Sequence, residues 1–376
     1  MMVLILIYYK SEMPDTRYAQ LVTFISYSTV FQTIIDAGTV TLGPRYHISS
    51  SYNIYLSDLI IYRFGGLLLT IGMIFILQLP ITFELLIWAV FYFFTSDWIF
   101  KARLQISEWS FILFLGTSVG ILTSIVFIAN NEYVIWLLRV LPACLVAVIG
   151  WIFSKEIWIE FSVRKRIAIN RNILNDVINS TSGALLNRLN SNLGFIISGF
   201  YLPASALSEI GLTLIIYNSV NMLKGIINQS LFPFVVSLSK NINIQRVMIV
   251  NLLVFFIGGV SFVVGLKLIL MLEIDMLTPI TSIFTKESPH SMIFLMGIVT
   301  SILLAFFNFS VLQAVAPLKV IRIIAFTNFS FVMALLTGFV VFKIRFNEFT
   351  LCSLFVVESV SMLQSYFFMV KYLNRI

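Results

Sequence analysis

Two cationic residues, Arg188 and Lys224, stand within apolar stretches in the second half of the chain. Each stretch is long enough for a helix that crosses a bilayer, which needs about 20 mostly apolar residues. An ionisable side chain at that depth costs about 2.5 to 3.5 kcal/mol on insertion scales and normally faces a cavity or an ionic partner. The two cations therefore predict either a bound anion or a neutralising acid elsewhere in the fold.

Amides and hydroxyls accompany the two cations at helical spacing. One stripe, with steps of 4, 4, 3 and 4 residues, consists of Thr213, Tyr217, Asn221, Lys224 and Asn228. The preceding helix carries a stripe of Asn187, Ser191, Gly194 and Ser198, and a second row of Arg188 and Asn192. Such side chains either hydrogen-bond neighbouring helices to each other or line a polar cavity. Because they flank buried cations, we interpret five of them as lining a binding cavity: Asn187, Asn192, Tyr217, Asn221 and Asn228.

Two acids and a further arginine also fall within predicted spans. Asp36 lies about a third of the way in from the predicted cytoplasmic side, where it is either an ion-coupling group or a carboxylate neutralised by Arg63 of the next span. Glu358, in the middle of the last span, is a second candidate for ion coupling and for neutralising Lys224. Arg139 precedes Pro142 by three residues and either reaches the outer interface or joins the binding cavity.

The composition requires that helices in a membrane position these residues. The chain is 59% hydrophobic and 11% charged, with a mean hydropathy of +0.99, so it has too few polar residues to cover a soluble surface. We predict an all-α polytopic membrane protein with about eleven full transmembrane helices plus a truncated first span at residues 1–9. The predicted spans are 18–43, 58–79, 80–98, 107–128, 132–154, 178–200, 207–236, 247–271, 291–314, 318–342 and 350–370.

The distribution of Lys and Arg predicts the topology. Placing the loop after Ser154 in the cytoplasm puts fourteen Lys and Arg residues inside and five outside, so the C-terminus is predicted to be cytoplasmic. The segment ISYSTV (25–30) is similar to IIYNSV (215–220) at an offset of about half the chain. We therefore predict two pseudo-symmetric helical bundles: an N-lobe (1–154), a basic cytoplasmic linker (155–177) and a C-lobe (178–376).

Other classes of site have little support. His47 and His290 are isolated in loops, and Cys144 and Cys352 lie within spans, so neither a metal site nor a cofactor is predicted. The net charge of +7 is concentrated in the cytoplasmic loops, where it fits contact with anionic membrane lipids rather than nucleic acid. The tryptophans lie mostly near span ends and are predicted to be interfacial anchors. They are Trp88, Trp98, Trp109, Trp136, Trp151 and Trp158.

The run YLPASALSEIGLTLIIYNSVNMLKGIINQSLFPFVVSLSK (201–240) resembles a helical hairpin of bacterial polysaccharide flippases. These are the O-antigen repeat-unit transporters of the multidrug/oligosaccharidyl-lipid/polysaccharide exporter superfamily. Asp36-Ala37-Gly38 and Gly43-Pro44-Arg45 resemble the second helix of that family, and the similarity in layout covers nearly the whole chain. The family normally has twelve or more spans in two six-helix lobes, whereas this chain lacks most of the first span.

The resemblance implies a non-enzymatic flippase of the bacterial inner membrane. It would act as a monomer and carry undecaprenyl-pyrophosphate-linked oligosaccharide from the cytoplasmic to the periplasmic leaflet by alternating access, and the polysaccharide polymerase of the same pathway would be a partner. Arg188 and Lys224 would then hold the pyrophosphate, because Arg and Lys bind phosphate well at low dielectric. The five cavity residues named above, from Asn187 to Asn228, would bind the sugars, and Arg139 is a further substrate-binding candidate. The alternatives are a drug or cation exporter of the same superfamily, which would need an acidic cavity, and an integral-membrane polysaccharide polymerase, which would need a sizeable outer loop.

Overall fold

Every regular element in the described part of the chain is a helix. The structure, a computed structural model, describes residues 6, 9–10, 12–40, 42, 58–79, 81–103, 105–127, 133–163, 171–208, 210–212, 214, 217, 318–341, 359–360, 363–365, 367–368 and 370–371. In chain order the α-helices with complete bounds are α1 (Asp15–Asp36), α2 (Leu59–Leu77), α3 (Thr82–Phe93), α4 (Asp97–Ala102), α5 (Ile106–Val126), α6 (Leu141–Val163), α7 (Arg171–Tyr201) and α8 (Leu318–Val341). A π-helical turn, Trp136–Val140, directly precedes α6.

The chain divides into two compact units. The N-unit is Thr23–Arg188, and the C-unit combines Met1–Val22 with Leu189–Ile376. The unit boundaries fall inside α1 and α7, since both helices continue across them. Residues 155–163 of the predicted linker continue α6, and residues 171–177 begin α7. The predicted lobe boundaries stay a prediction.

Four stretches of the described chain are long and apolar enough to cross a membrane: Leu59–Leu77, Thr82–Lys101, Ser107–Val126 and Trp136–Ser162. They coincide with four of the predicted spans, which confirms a helical, multi-pass membrane protein. Helices α1 and α7 coincide with two further predicted spans but carry more polar residues, while α8 contains a shorter apolar segment, Arg322–Gly338. The total of eleven spans stays a prediction, because most of the chain between residues 207 and 317 lies outside the described residues.

Helix α2 has one buried face and one lipid-facing face. Arg63, Gly66, Thr70 and Ile74 are buried at steps of three, four and four residues, which is the period of an α-helix, and Leu67 beside Gly66 is buried as well. A Cβ atom added to Gly66 would lie 2.2 Å from the carbonyl oxygen of Ile34 in α1, whereas one added to Gly65 would meet no atom within 4 Å. The absence of a side chain at Gly66 therefore brings the backbones of α1 and α2 into direct contact.

Two of the predicted spans are interrupted. The predicted span 18–43 is not one continuous helix: α1 ends at Asp36, and Ala37 and Gly38 adopt φ angles of +46° and +70°. Glycine adopts this left-handed conformation at little cost, and it also lets α1 end against Ser180, whose Cβ would lie 2.9 Å from a Cβ at Gly38. The predicted span 80–98 is broken at residues 94–96, between α3 and α4.

The π-helical turn joins the tightest part of the packing between α5 and α6. A Cβ atom on Gly120 would lie 2.7 Å from the carbonyl oxygen of Leu137 and 2.4 Å from Cγ of Pro142, and one on Gly116 would lie 2.6 Å from Val146. Pro142 removes a backbone donor at the start of α6, and π-helical turns commonly mark such irregular points. Helix α6 therefore packs against the face of α5 that carries Gly116 and Gly120.

The prediction that the tryptophans are interfacial anchors is wrong for three of them. Trp98 is 0% exposed, and Trp88 and Trp109 are both 6% exposed, so none of the three can reach lipid head groups. The rings pack inside the N-unit, where Trp109 lies 5.6 Å from Phe100 and Trp88 stacks on Tyr92 at 5.1 Å. Proximity to a span end did not distinguish a lipid-facing ring from a buried one, because both satisfy the same sequence pattern.

In the C-unit, a small polar cluster joins the start of α1 to the segment after α7. Asp15 accepts hydrogen bonds from Lys10 and from the Ser208 hydroxyl, both at 2.6 Å, and Lys10 also contacts Ser208. Deeper in the unit, the Asn190 amide of α7 donates to the carbonyl oxygen of Ala325 in α8 at 3.3 Å. These contacts are formed by residues well separated along the chain.

Replacing Asp15 by asparagine tests this polar cluster. The hydrogen bonds from Lys10 and then Ser208 hold the pKa of Asp15 below its usual value, so its carboxylate stabilises the fold at neutral pH and loses that contribution as the pH falls through the lowered pKa. We expect Asp15→Asn to lower the melting temperature slightly at pH 7, with the difference narrowing below about pH 4. Glu12→Gln, an exposed acid three residues earlier, is the control, and an equal drop for both variants would contradict this role.

Candidate functional site

A buried ion pair, Asp36 with Arg63, forms the centre of the candidate site in the N-unit. Arg63 Nη1 lies 2.8 Å from Asp36 Oδ1, and the side chains are 0% and 14% exposed. Asp36 is the last residue of α1, where the negative end of the helix dipole disfavours a carboxylate. The guanidinium compensates for this, so the structure contains the neutralised carboxylate that the sequence left as one of two alternatives.

Arg63 also caps the interrupted helix α3. Its Nη2 atom donates to the carbonyl oxygens of Tyr92 and Phe93 at 3.1 and 3.2 Å. Carbonyl groups at the end of a helix have no intrahelical partner, and water is absent from the bilayer core. One guanidinium therefore contacts both the last carbonyl oxygens of α3 and the carboxylate at the C-terminus of α1, which holds the two helix ends next to each other. The Tyr92 carbonyl oxygen also accepts hydrogen bonds from Thr95.

Tyr92 and Asp97 complete the cluster. The Tyr92 hydroxyl lies 3.0 Å from both carboxylate oxygens of Asp36 and donates to that carboxylate. Asp97, at the start of α4, lies 3.8 Å from Arg63 and 3.7 Å from Lys101. The rings of Tyr92 and Trp98 each lie 5.8 Å from the Arg63 guanidinium carbon. We call these residues the Asp36 cluster: Asp36, Arg63, Tyr92, Asp97 and Lys101.

Arg188, the last residue of the N-unit, extends the Asp36 cluster. Its side chain is exposed, and it lies close enough to Asp36 for a direct electrostatic interaction. Among the described residues of this region, the cations Arg63, Lys101 and Arg188 face the two carboxylates of Asp36 and Asp97. The region therefore has a net positive charge, and Arg188 is an exposed residue at its edge.

The other predicted site residues have different surroundings. Asn187 is half-buried beside Arg188 on α7, whereas Asn192 and Tyr217, in the C-unit, are 1% and 2% exposed. Arg139 lies in the π-helical turn of the N-unit. Lys224, Asn221, Asn228 and Glu358 lie outside the described residues. The structure thus brings Arg188 to Asp36, while the sugar-binding roles of Asn187, Asn192 and Tyr217 stay predictions.

Sequence reasoning missed Tyr92 and Asp97 as members of the cluster. Tyr92 lies in the aromatic run FYFF, in which every ring suits lipid, and Asp97 lies in a segment interpreted as an interfacial turn. A usable signal was the helical spacing of Leu85, Trp88 and Tyr92, which places Tyr92 on the buried face of α3. The break after α3, which brings Asp97 back to Arg63, has no such signal.

The chemistry available to the cluster is proton and anion binding. A carboxylate held by two donors can take up a proton, and guanidinium groups bind oxyanions. Within the described residues no group of three His, Cys, Asp or Glu side chains is arranged to hold a metal ion.

Comparison with known proteins bears on the fold. No family profile and no curated protein sequence matches the chain. The crystal structure of the Vibrio cholerae MATE transporter VcmN in the bent form matches 99% of this chain and 92% of its own, with a TM-score of 0.51 and 14% sequence identity. The fold resembles that of a MATE transporter. Together with the four apolar helices, this likeness shows a helical, multi-pass membrane protein with a MATE-like fold.

Proposed function

We propose that the protein is a transporter of the multidrug/oligosaccharidyl-lipid/polysaccharide exporter superfamily and that it flips undecaprenyl-pyrophosphate-linked oligosaccharide from the cytoplasmic to the periplasmic leaflet. The MATE-like fold supports transport in general and is equally compatible with a drug exporter. The observation that favours an anionic cargo is the charge arrangement of the Asp36 cluster.

Asp36, an acid that could attract a cationic drug, is already neutralised. Asp36 is held by Arg63 and Tyr92, so a cationic drug would have to displace a buried guanidinium to reach it. Arg188, in contrast, is exposed beside this pair and carries the sign of charge that attracts pyrophosphate. The half-buried amide of Asn187 adjoins it on the same helix and suits a sugar hydroxyl.

Asp36 is also the proposed coupling group. The membrane potential favours outward movement of a doubly negative head group by about 4.6 kcal/mol per 100 mV, so the return of the empty, cationic protein is the step that requires coupling. Protonation of Asp36 would weaken its ion pair with Arg63, which joins the ends of α1 and α3. Protonation of Asp36 would thereby be coupled to the contact between the interrupted ends of α1 and α3.

The experiment is export of a defined lipid-linked repeat unit in a cell that lacks its own flippase. We expect Arg188→Gln, expressed at the wild-type level, to lower the export rate about 10-fold or more, because a hydrogen bond to a charged group contributes about 1.5 to 3 kcal/mol. Arg171→Gln is the matched control, since Arg171 is an exposed arginine at the start of the same helix.

Two results would contradict the proposal. One is full export by Arg188→Gln. The other is a wild-type protein that fails to restore export but lowers the accumulation of a cationic dye, which would identify a drug exporter instead.

A further inference from the structure

Arg139 is a charged group that the Asp36 cluster does not include. It lies in the π-helical turn Trp136–Val140, and its side chain is half-buried. Its Nε atom is buried and makes no hydrogen bond. No carboxylate in the described part of the chain lies within ion-pair distance of its guanidinium. In a membrane, such a cation normally has an ionic partner or a ligand.

The position of Arg139 along the bundle follows from two contacts between α6 and its neighbours. Ser154 of α6 is hydrogen-bonded to Ser96 at 2.6 Å, and the Trp136 ring lies 5.8 Å from the Phe83 ring near the start of α3. The π-helical turn and α6 therefore run beside α3 in the same direction. Arg139 lies one turn after Trp136. Along the helix axis it is six or more residues away from the level of Tyr92 in α3, a separation of at least about 9 Å.

The side chain of Arg139 belongs to the packed face of its helix. Ala143, Val146, Gly150 and Ser154 follow it at steps of four, three, four and four residues, and the last two contact Ser96. On the predicted topology this end of the N-unit is periplasmic. Arg139 is thus a second cation on an inward face, separated from the Asp36 cluster along the proposed direction of transport.

We propose that Arg139 forms a second, outer phosphate-binding site, which takes the lipid-linked pyrophosphate after it leaves Arg188. This rests on the proposed function. A guanidinium can hold two phosphate oxygens at once, whereas an ammonium group binds as a point charge. Arg139 lies in the same π-helical turn as Trp136, three residues after it, so a ligand bound at the guanidinium is expected to change the surroundings of the Trp136 ring.

The test measures binding in nanodiscs of phosphatidylcholine titrated with undecaprenyl pyrophosphate. The signal is the part of the tryptophan fluorescence that the Trp136→Phe variant removes. We expect Arg139→Gln to weaken the saturable change in this signal about 10-fold and Arg139→Lys to weaken it less. Arg188→Gln should leave the Trp136 signal in place, since the two sites are separate. An unchanged affinity in Arg139→Gln would overturn the proposal.

Two further measurements separate the ligand role from other roles. Without ligand, Arg139→Gln should melt at the same or a higher temperature than wild type, because it removes a half-buried cation that has no carboxylate partner among the described residues. A marked fall would show a structural role instead and contradict the proposal. Phosphatidylglycerol at the same mole fraction should produce no saturable change. An equal response to that lipid would identify a general phospholipid site and overturn the assignment to cargo, whatever the outcome of the export assay for Arg188→Gln.

Discussion

Arg63→Leu is expected to remove most of the folded protein from the membrane. The substitution leaves Asp36 buried without its guanidinium and removes the donor that Arg63 supplies to the Phe93 carbonyl oxygen, whereas the Tyr92 carbonyl oxygen keeps its hydrogen bonds from Thr95. Breaking a buried ion pair by removing one partner typically costs about 3 to 5 kcal/mol, which is a large part of the stability of most domains. The yield of monodisperse protein in mild detergent and its melting temperature are the measurements.

Companion variants assign the loss to particular contacts of Arg63. Arg63→Lys keeps the charge but cannot reach the carboxylate and two carbonyl oxygens together, so its stability should lie between leucine and wild type. Arg63→Leu combined with Asp36→Asn should recover part of the loss, because the buried charge is gone. Arg103→Gln is the control, since Arg103 pairs at 3.9 Å with an exposed Glu156 and such surface pairs contribute little. If Arg63→Leu were as stable as Arg103→Gln, the cluster would not hold the two helix ends together.

Gly66→Ala is expected to have the second largest effect. The added Cβ would overlap the carbonyl oxygen of Ile34 at 2.2 Å and would also lie 3.0 Å from the Cα of Ile35. Backbone atoms cannot move aside as the end of a flexible side chain can, so α1 and α2 must separate. Overpacking in a core typically costs about 1 to 3 kcal/mol, and a clash with backbone belongs at the upper end of that range. The melting temperature of the purified variant tests this.

Gly65→Ala provides a matched control one residue away. The added methyl group meets no atom within 4 Å, and alanine is the better helix former by about 1 kcal/mol, so this variant should be as stable as wild type or more stable. A similar loss of stability in both variants would show that alanine is disfavoured in α2 for some reason other than contact with α1.

The sequence predicted the class of protein and part of the candidate site. Long apolar runs are sufficient for the membrane assignment, because lipid offers the backbone no hydrogen bonds and only helices or closed barrels can cross it. The sequence also offered the pairing of Asp36 with Arg63 as one of two alternatives, because opposite charges in adjacent spans attract each other strongly at low dielectric.

Composition and periodicity by themselves thus determined that this chain is helical, lies in a membrane and contains charges that need partners, since these properties follow from how each residue interacts with lipid. Only the tertiary structure decided that α1 and α3 are interrupted where those charges meet, that Tyr92 and Asp97 join them, and that Arg188 lies beside Asp36 while Arg139 does not. These features depend on contacts between residues 27 to 152 positions apart. No local sequence pattern encodes such contacts, because the spacing of these residues along the chain is the same whether the helix is continuous or interrupted.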